Sequence, residues 1–231
     1  LNLLGGNAST GSLLQSSGSV TGSNNFTVTG ASTITFGDHR GTGSTILQGP
    51  TTISSSGFRL DGGRVLQNQN TLTWDGGSIV FNNTVTGASG GAGSGTINNI
   101  AGATFIASGN SANSIFASNF GGTDTGADAL FTNAGTFRKS GSAAGNTTTV
   151  DVTFNNTGLV DVQTGVLSLT KGIQGAGTAQ TAAGAQLTLG AVSTVGALIN
   201  NGTVNLGTNT VTVSSDYQNA NFGTGDTFNR R

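Results

Sequence analysis

The residues that could carry out acid–base chemistry or bind a metal ion are few and scattered in this sequence. The only histidine, His39, stands between Asp38 and Arg40, and the chain contains no cysteine. All nine acidic residues are aspartates, so no second histidine, cysteine or glutamate is present to complete a zinc site. A lone histidine in a turn between strands is usually solvated. We therefore interpret His39 as a loop residue and predict no catalytic residue.

Two aspartates, Asp124 and Asp128, lie in the segment GGTDTGAD and could bind Ca²⁺ together with backbone carbonyl groups. Asp61 and Asp75, each followed by two glycines, are similar candidates. The calcium-binding β-roll repeat has the pattern GGxGxD, and its nearest match, GGAGSG at 90–95, has glycine in place of the aspartate. We interpret these aspartates as turn caps, and Ca²⁺ is the one cofactor that the sequence suggests.

A polysaccharide-processing enzyme would need clustered charges. A glycosidase requires two carboxylates across the sugar bond, and a lyase requires a basic residue beside acidic calcium ligands. Arg138 and Lys139 with Asp151 or Asp161 come nearest to such a patch. Adjacent residues of a strand point to opposite faces, so Arg138 and Lys139 should not converge. We predict that the chain is not an enzyme, with a polysaccharide-processing enzyme as the less favoured alternative.

The twelve phenylalanines outnumber the single tryptophan and the single tyrosine. We predict that most of them stack in the interior, namely Phe26, Phe36, Phe81, Phe105, Phe116, Phe137 and Phe154. The alternative is an exposed aromatic strip that binds sugars.

The composition indicates an ordered, strand-rich chain with an uncharged surface. Charged residues make up 7% of the sequence, against about a quarter in an average domain. The 40 glycines and one proline are interspersed with short runs of Val, Ile, Leu, Phe and Thr that end at Gly or Asn, as strands do. The net charge of −1 predicts no nucleic-acid partner, and no apolar run approaches the roughly 20 residues that span a bilayer.

Internal repetition is the strongest feature of the sequence. The segments FTNAGTF (131–137), FNNTGLV (154–160) and LINNGTV (198–204) share an asparagine followed two positions later by a glycine. Weaker copies are LQNQNTL (66–72) and INNIAGATF (97–105). The first two aligned asparagines are 23 residues apart, and the third follows after 44, or twice 22. We predict a ladder of stacked turns formed by Asn133, Gly135, Asn156, Gly158, Asn200 and Gly202.

A period near 22 residues, made of strands too short to bury a face alone, is typical of a solenoid. Glycine can turn the corner of each coil because it adopts positive φ freely. We therefore predict an all-β fold, a right-handed parallel β-helix that forms one domain over residues 1–231. The coils of 1–65 should be less regular, and 66–215 should contain the clearest repeats.

The repeats NAGTF (133–137), TFNNTGLVDVQTGVLSL (153–169) and LINNGTVNL (198–206) resemble those of bacterial exoproteins. These families are the autotransporter passenger domains, the filamentous-haemagglutinin-like adhesins and related β-strand-repeat surface proteins. The resemblance covers about two-thirds of the chain. It implies a right-handed parallel β-helix outside the cell or on the bacterial surface, often part of a larger precursor and serving as an adhesive stalk.

Two functions follow as expectations. In the first, the chain is a stalk or adhesin segment that contacts host or cell-surface glycans or proteins. In the second, the chain is a subunit that stacks end to end with other copies of itself into an extracellular fibre, because uncapped solenoid ends expose strand edges. Neither expectation includes membrane insertion of this segment.

Overall fold

The computed structural model describes residues 1–54, 57–84, 93–109, 113–141 and 143–220, and all the regular secondary structure in them is β-strand. No helix in these residues is long and apolar enough to cross a membrane. The strands are β1 (Ala8–Thr10), β2 (Leu13–Gln15), β3 (Ser19–Val20), β4 (Phe26–Val28), β5 (Ser32–Ile34), β6 (Gly37–Arg40), β7 (Ser44–Leu47), β8 (Thr51–Ser54), β9 (Phe58–Asp61), β10 (Val65–Asn68), β11 (Thr71–Gly76), β12 (Ser78–Phe81), β13 (Thr96–Asn99), β14 (Thr104–Ala107), β15 (Asn113–Ala117), β16 (Leu130–Asn133), β17 (Thr136–Lys139), β18 (Thr147–Asp151), β19 (Thr153–Asn156), β20 (Leu159–Val162), β21 (Val166–Leu169), β22 (Thr178–Thr181), β23 (Gln186–Leu189), β24 (Ser193–Asn200), β25 (Thr203–Asn205) and β26 (Val211–Asn219).

These strands form three parallel sheets, each of which takes one strand from successive coils. The first sheet has the order β1-β4-β7-β10-β13-β16-β19, and the second has β2-β5-β8-β11-β14-β17-β20-β22-β24-β26. The third has β25-β23-β21-β18-β15-β12-β9-β6-β3. We call the turns from the first to the second sheet, from the second to the third, and from the third to the first the first, second and third corners. The chain is thus a parallel β-solenoid of about nine turns of roughly 21 residues, as predicted.

Alternation within each strand sends every second side chain into a single continuous core. In β21, for example, Leu167 and Leu169 are completely buried, and Ser168 between them faces outward. Rings of neighbouring coils stack inside the rod: Phe105 lies 5.4 Å from Phe137, and Phe131 lies 5.0 Å from Phe154. The parallel ladder and this apolar interior hold the rod together without disulfides.

The coils are shortest at the two ends of the chain and longest in its middle. The register pairs residues 18 to 21 positions apart before residue 60 and 19 or 20 positions apart between 150 and 200. The separation rises to 31 between Asn68 and Asn99 and to 36 between Ser78 and Ser114. The coils of residues 1–65 are therefore uniform in length, and the coils that differ most in length lie within 66–215.

The added residues lie at two corners of the central coils. At the third corner they are 82–95, between β12 and β13, and 118–129, between β15 and β16. At the second corner they are 108–112, between β14 and β15, and 140–146, between β17 and β18. Each of the third-sheet strands β12, β15 and β18 is therefore preceded or followed by an insertion.

In the last coils, single long strands cross the position of the first corner. Strands β24 and β26 are eight and nine residues long, and their pairing shifts register between Val195 and Ala197. A side chain on Gly196, which stands at this shift, would place its Cβ 2.1 Å from the carbonyl oxygen of Ala176. Gly196 donates its N–H to the carbonyl of Gly177, which itself lies on Gly158, so Gly196 continues the column of glycines at the first corner.

Candidate functional site

A ladder of buried asparagine amides occupies the interior of the first corner. The Nδ2 of Asn68 donates to the Oδ1 of Asn99 at 2.8 Å, Asn99 donates to Asn133 at 2.7 Å, and Asn133 donates to Asn156 at 2.7 Å. Each of these amides also donates to a backbone carbonyl of the following coil. The weaker sequence copies at Asn68 and Asn99 are thus full members of the ladder.

The predicted glycines Gly135 and Gly158 lie at the same corner, where two coils approach closely. A Cβ at Gly158 would stand 2.1 Å from the carbonyl oxygen of Gly135, and a Cβ at Gly135 would stand 2.2 Å from that of Ala103. Such distances are far inside van der Waals contact. The glycine of the motif is required because any side chain would collide with the coil beneath it.

Asn200 and Gly202 belong to a different ladder. Asn200 ends β24 of the second sheet, where it accepts a hydrogen bond from Thr181 and donates to Asn219 at 3.2 Å. Gly202 stands at the second corner, with carbonyl oxygens of Ala182 and Ala185 both 2.3 Å from where a Cβ would be. The predicted ladder is therefore two ladders. The same motif occurs at both corners because each has an asparagine amide that points inward and a glycine in close contact with a carbonyl oxygen of the neighbouring coil.

His39 is a core residue and not the predicted solvated loop residue. It lies in β6, is completely buried and packs edge-on against Phe58 at 5.0 Å. Its Nε2 is 2.8 Å from Oε1 of Gln15, and its Nδ1 is 3.0 Å from Oγ1 of Thr45. Burial, helped by the positive charge of Arg64, lowers the pKa of His39 from 6.5 to about 3. The imidazole is neutral at pH 7, with Nε2 donating and Nδ1 accepting.

Arg64 was not singled out by sequence, yet it closes this interior cluster. Its Nε donates to Oγ1 of Thr45 at 3.0 Å, and its Nη2 donates to the carbonyl of Ser44 at 3.0 Å. Its Nη1 donates to the carbonyls of Gly22 and Arg40 at 3.3 and 3.4 Å. Burial lowers the pKa of Arg64 to about 10. A charged guanidinium is thus held inside the rod by one hydroxyl and three backbone carbonyls.

The aspartates considered as calcium ligands have different hydrogen-bond partners. Asp128 accepts from the backbone N–H and the hydroxyl of Ser94 at 3.1 and 2.6 Å. Asp61 accepts from the N–H of Gly62 at 2.8 Å, while Asp75 is exposed. Asp124 joins a short turn through its backbone. No group of three or more His, Cys, Asp or Glu side chains suited to a metal ion occurs in the described residues, and residues 90–92 of GGAGSG lie outside them.

The residues considered for a lyase-type patch are divided among three environments. Arg138 donates to Asp161 at 2.9 Å on the outer face of the second sheet, where Gln163 and Gln180 also donate to this carboxylate. Lys139 is completely buried, and burial lowers its pKa. Asp151 lies on the outer face of the third sheet and accepts from Thr170. Arg138 and Lys139 point to opposite faces, as the alternation requires.

The outer face of the third sheet carries apolar side chains, among them phenylalanines that we predicted to lie in the interior. Phe26, Phe81, Phe105, Phe137 and Phe154 are buried, which confirms that part of the prediction. Phe116 alternates with the inward Ile115 and therefore points outward, and Phe36 is half-buried just before β6. Val80 lies between Arg59 and Phe116 in the register, on the outer face of the sheet. It is not part of the core cluster, yet only 9% of the residue is exposed.

Charged and hydroxyl groups surround these apolar side chains. The guanidinium of Arg59 lies 4.9 Å from the ring centroid of Phe36, and it shares the carboxylate of Asp38 with Arg40. Alongside runs a column of outward hydroxyls on five successive coils, formed by Ser78, Ser114, Thr149, Ser168 and Thr188. We call the outward residues Phe36, Arg59, Ser78, Val80, Ser114 and Phe116 the third-sheet face.

The central insertions begin and end at the strands that carry the third-sheet face. Residues 108–112 precede β15, and residues 118–129, which include the exposed Phe120, follow it. Asn82, after β12, donates to the carbonyls of Ser118 and Asp124, so the two insertions at the third corner are joined. Comparison of the chain with protein-family models, with curated proteins and with solved structures found no match.

Proposed function

We propose that the chain is a structural and adhesive segment of a bacterial surface protein, a rod that displays the third-sheet face to a partner outside the cell. The observation that carries this proposal is that the longest insertions adjoin β12 and β15, the strands that present Val80 and Phe116 on the outer face. Repeating a short coil is enough to build a rod. Residues added beside one face therefore favour a task for that face.

The partner class that the third-sheet face fits is a glycan. Phe116 offers an apolar surface for the C–H side of a sugar ring, since aromatic side chains combine large apolar area with little conformational entropy. The hydroxyl column with Ser78 and Ser114 at its start supplies donors and acceptors, and Arg59 adds a charged donor. A row of groups repeated on successive coils suits an extended polymer better than a small molecule.

Binding of beads coated with the purified chain to a panel of glycans and extracellular proteins tests this proposal. Phe116→Ser should abolish capture, because it removes the aromatic surface of the third-sheet face. Ile106→Ser is the matched control, since Ile106 is a half-buried outward residue of the second sheet and should leave capture unchanged. Both variants must give the wild-type circular dichroism spectrum. Absence of capture by the wild-type chain, or equal loss in both variants, would contradict the proposal.

The second candidate is the fibre subunit. It is favoured by β26, a nine-residue strand that pairs on one side with β24 and forms the edge of the second sheet. Such an edge can pair with another chain. Sedimentation velocity over a concentration series, with negative-stain images, separates the candidates. Elongated monomers at every concentration contradict the fibre, whereas growth into filaments with a constant axial repeat supports it and makes adhesion secondary.

A further inference from the structure

The interior of the second corner contains a group of polar atoms without protein partners. Four of the five buried side-chain atoms that lack a hydrogen bond in the described residues are Nδ2 and Oδ1 of Asn113, Oγ1 of Thr148 and Oγ1 of Thr164. Asn113 and Thr148 are neighbours in the register of β15 and β18, at one and zero per cent exposure. Thr164 lies in the same corner one coil further on. The unsatisfied atoms are thus grouped in one place.

Some of the residues next to this group are small. Gly77 lies just before β12 in the coil below Asn113, and its carbonyl accepts from the N–H of Ser114. On the second sheet Ala107 lies between Trp74 and Lys139 in the register, so a small residue stands between two long ones. Gly109 approaches the Asn113 amide so closely that a Cβ would stand 2.2 Å from its Nδ2. Small residues on both neighbouring strands thus lie next to the Asn113 amide.

The free-energy cost of leaving these atoms without hydrogen bonds favours their solvation. Leaving a buried donor or acceptor unpaired costs about 1–3 kcal/mol, and three such atoms on two neighbouring residues would consume much of the stability of a marginally stable protein. A buried water forms two to four hydrogen bonds to polar groups of this kind. The completely buried Lys139 ends β17 at the same corner, so the surroundings are polar enough to retain water.

We propose that ordered water binds inside the rod at the second corner, bridging the Asn113 amide to the Thr148 hydroxyl between two coils. The site is independent of the third-sheet face, since it lies on the inner side of the same strands. Water there replaces the direct amide ladder that the first corner uses. It also accounts for the polar side chain of Thr148 in the interior, where the residues that follow it in the register of the next two coils are Leu167 and Leu187.

The substitution Thr148→Val tests the proposal by the sign of its effect. Valine has the same shape and lacks the hydroxyl. If water bridges Thr148 to Asn113, the variant loses one water contact and its urea midpoint falls below that of wild type. If the hydroxyl is simply unsatisfied, its removal raises the midpoint. Thr149→Val, on the outward side of the same strand, is the matched control and should leave the midpoint unchanged.

A second measurement does not depend on stability. In nuclear Overhauser spectra of the full chain, the side-chain amide protons of Asn113 should show cross-peaks to long-lived water, and Thr148→Val should weaken them. A raised or unchanged midpoint with no water cross-peak would overturn the proposal. An anomalous peak from bromide at this corner in a halide-soaked crystal would overturn it as well, in favour of an anion.

Discussion

The Nδ2 of Asn133 donates to the Oδ1 of Asn156 across 2.7 Å, and these two residues occupy the same place in successive coils. The bond runs along the axis of the rod, parallel to the backbone ladder, so it joins coils through side chains inside the core. Because the amide of each asparagine also donates to a backbone carbonyl, the ladder fixes the first corner as well as the stacking.

Asn133→Ala should lower the free energy of unfolding by more than about 2 kcal/mol, since it leaves the Oδ1 of Asn156 without its donor and removes a donor from the carbonyl of Leu159. Asn155→Ala is the control, because Asn155 belongs to the same repeat and is exposed. Urea unfolding followed by circular dichroism measures both. Equal effects of the two substitutions would show that the ladder contributes no stability.

Gly158→Ala tests the close approach of two coils. Its Cβ would meet the backbone of Ala134 and Gly135, which cannot rotate away, so we expect a loss of about 1–3 kcal/mol, as for overpacking. Gly76→Ala is the control, since no atom lies within 4 Å of the added Cβ. The urea midpoints of both variants check the expectation. A Gly158→Ala protein as stable as the control would contradict the steric account of the motif.

Thr45→Val should destabilise the N-terminal coils. The hydroxyl of Thr45 donates to Nδ1 of His39 and accepts from Nε of Arg64, and valine leaves both buried groups without this partner. We expect a loss of about 1–3 kcal/mol. The outward Thr27, in the neighbouring strand of the first sheet, gives the control variant Thr27→Val. Hydrogen exchange of the amides in β6 and β7 locates the effect, and faster exchange at the opposite end only would argue against it.

His39 should make stability fall in mild acid. Its pKa is about 3 in the folded chain and about 6.5 when unfolded, so the unfolded state takes up the proton first. Stability is therefore fully present above about pH 6.5 and decreases as the pH falls towards 3, with a slope of up to about 1.4 kcal/mol per pH unit.

Urea unfolding at several pH values between 7 and 5 measures this dependence. The wild-type chain should lose about 2 kcal/mol over this range, while His39→Gln, which has no titrating ring, should remain nearly constant. The two proteins showing parallel pH profiles would mean that His39 titrates normally and is not buried in solution.

Repetition in the sequence was enough to predict the fold because the stacked motif is local. The spacing of Asn133 and Asn156 equals one coil, and the glycine two positions later fits the same corner. Asn200 was misplaced since its motif also suits the second corner, where Asn200 ends β24 and Gly202 follows it. Counting residues along the chain cannot reveal which corner a motif occupies.

The interior cluster and the third-sheet face depend on contacts between coils. In DHRGTG the residues around His39 read as a turn, yet its partners Gln15, Thr45 and Phe58 come from other strands. Alternation shows that Ile115 and Phe116 point to opposite faces. Ile115 is in register with Val150, which is buried. This pairing shows that Ile115 points inward and that Phe116 therefore points outward.

The unequal coils give the rod an uneven response to a pulling force. A detached coil at either end frees about 19 residues, whereas a central coil frees about 36. At about 3.4 Å per extended residue, these lengths are about 65 and about 120 Å. All coils occupy the same axial rise while folded, so the centre stores nearly twice as much chain per ångström of rod. A tether of this kind would lengthen by small steps as its ends peel and by large ones when its middle yields.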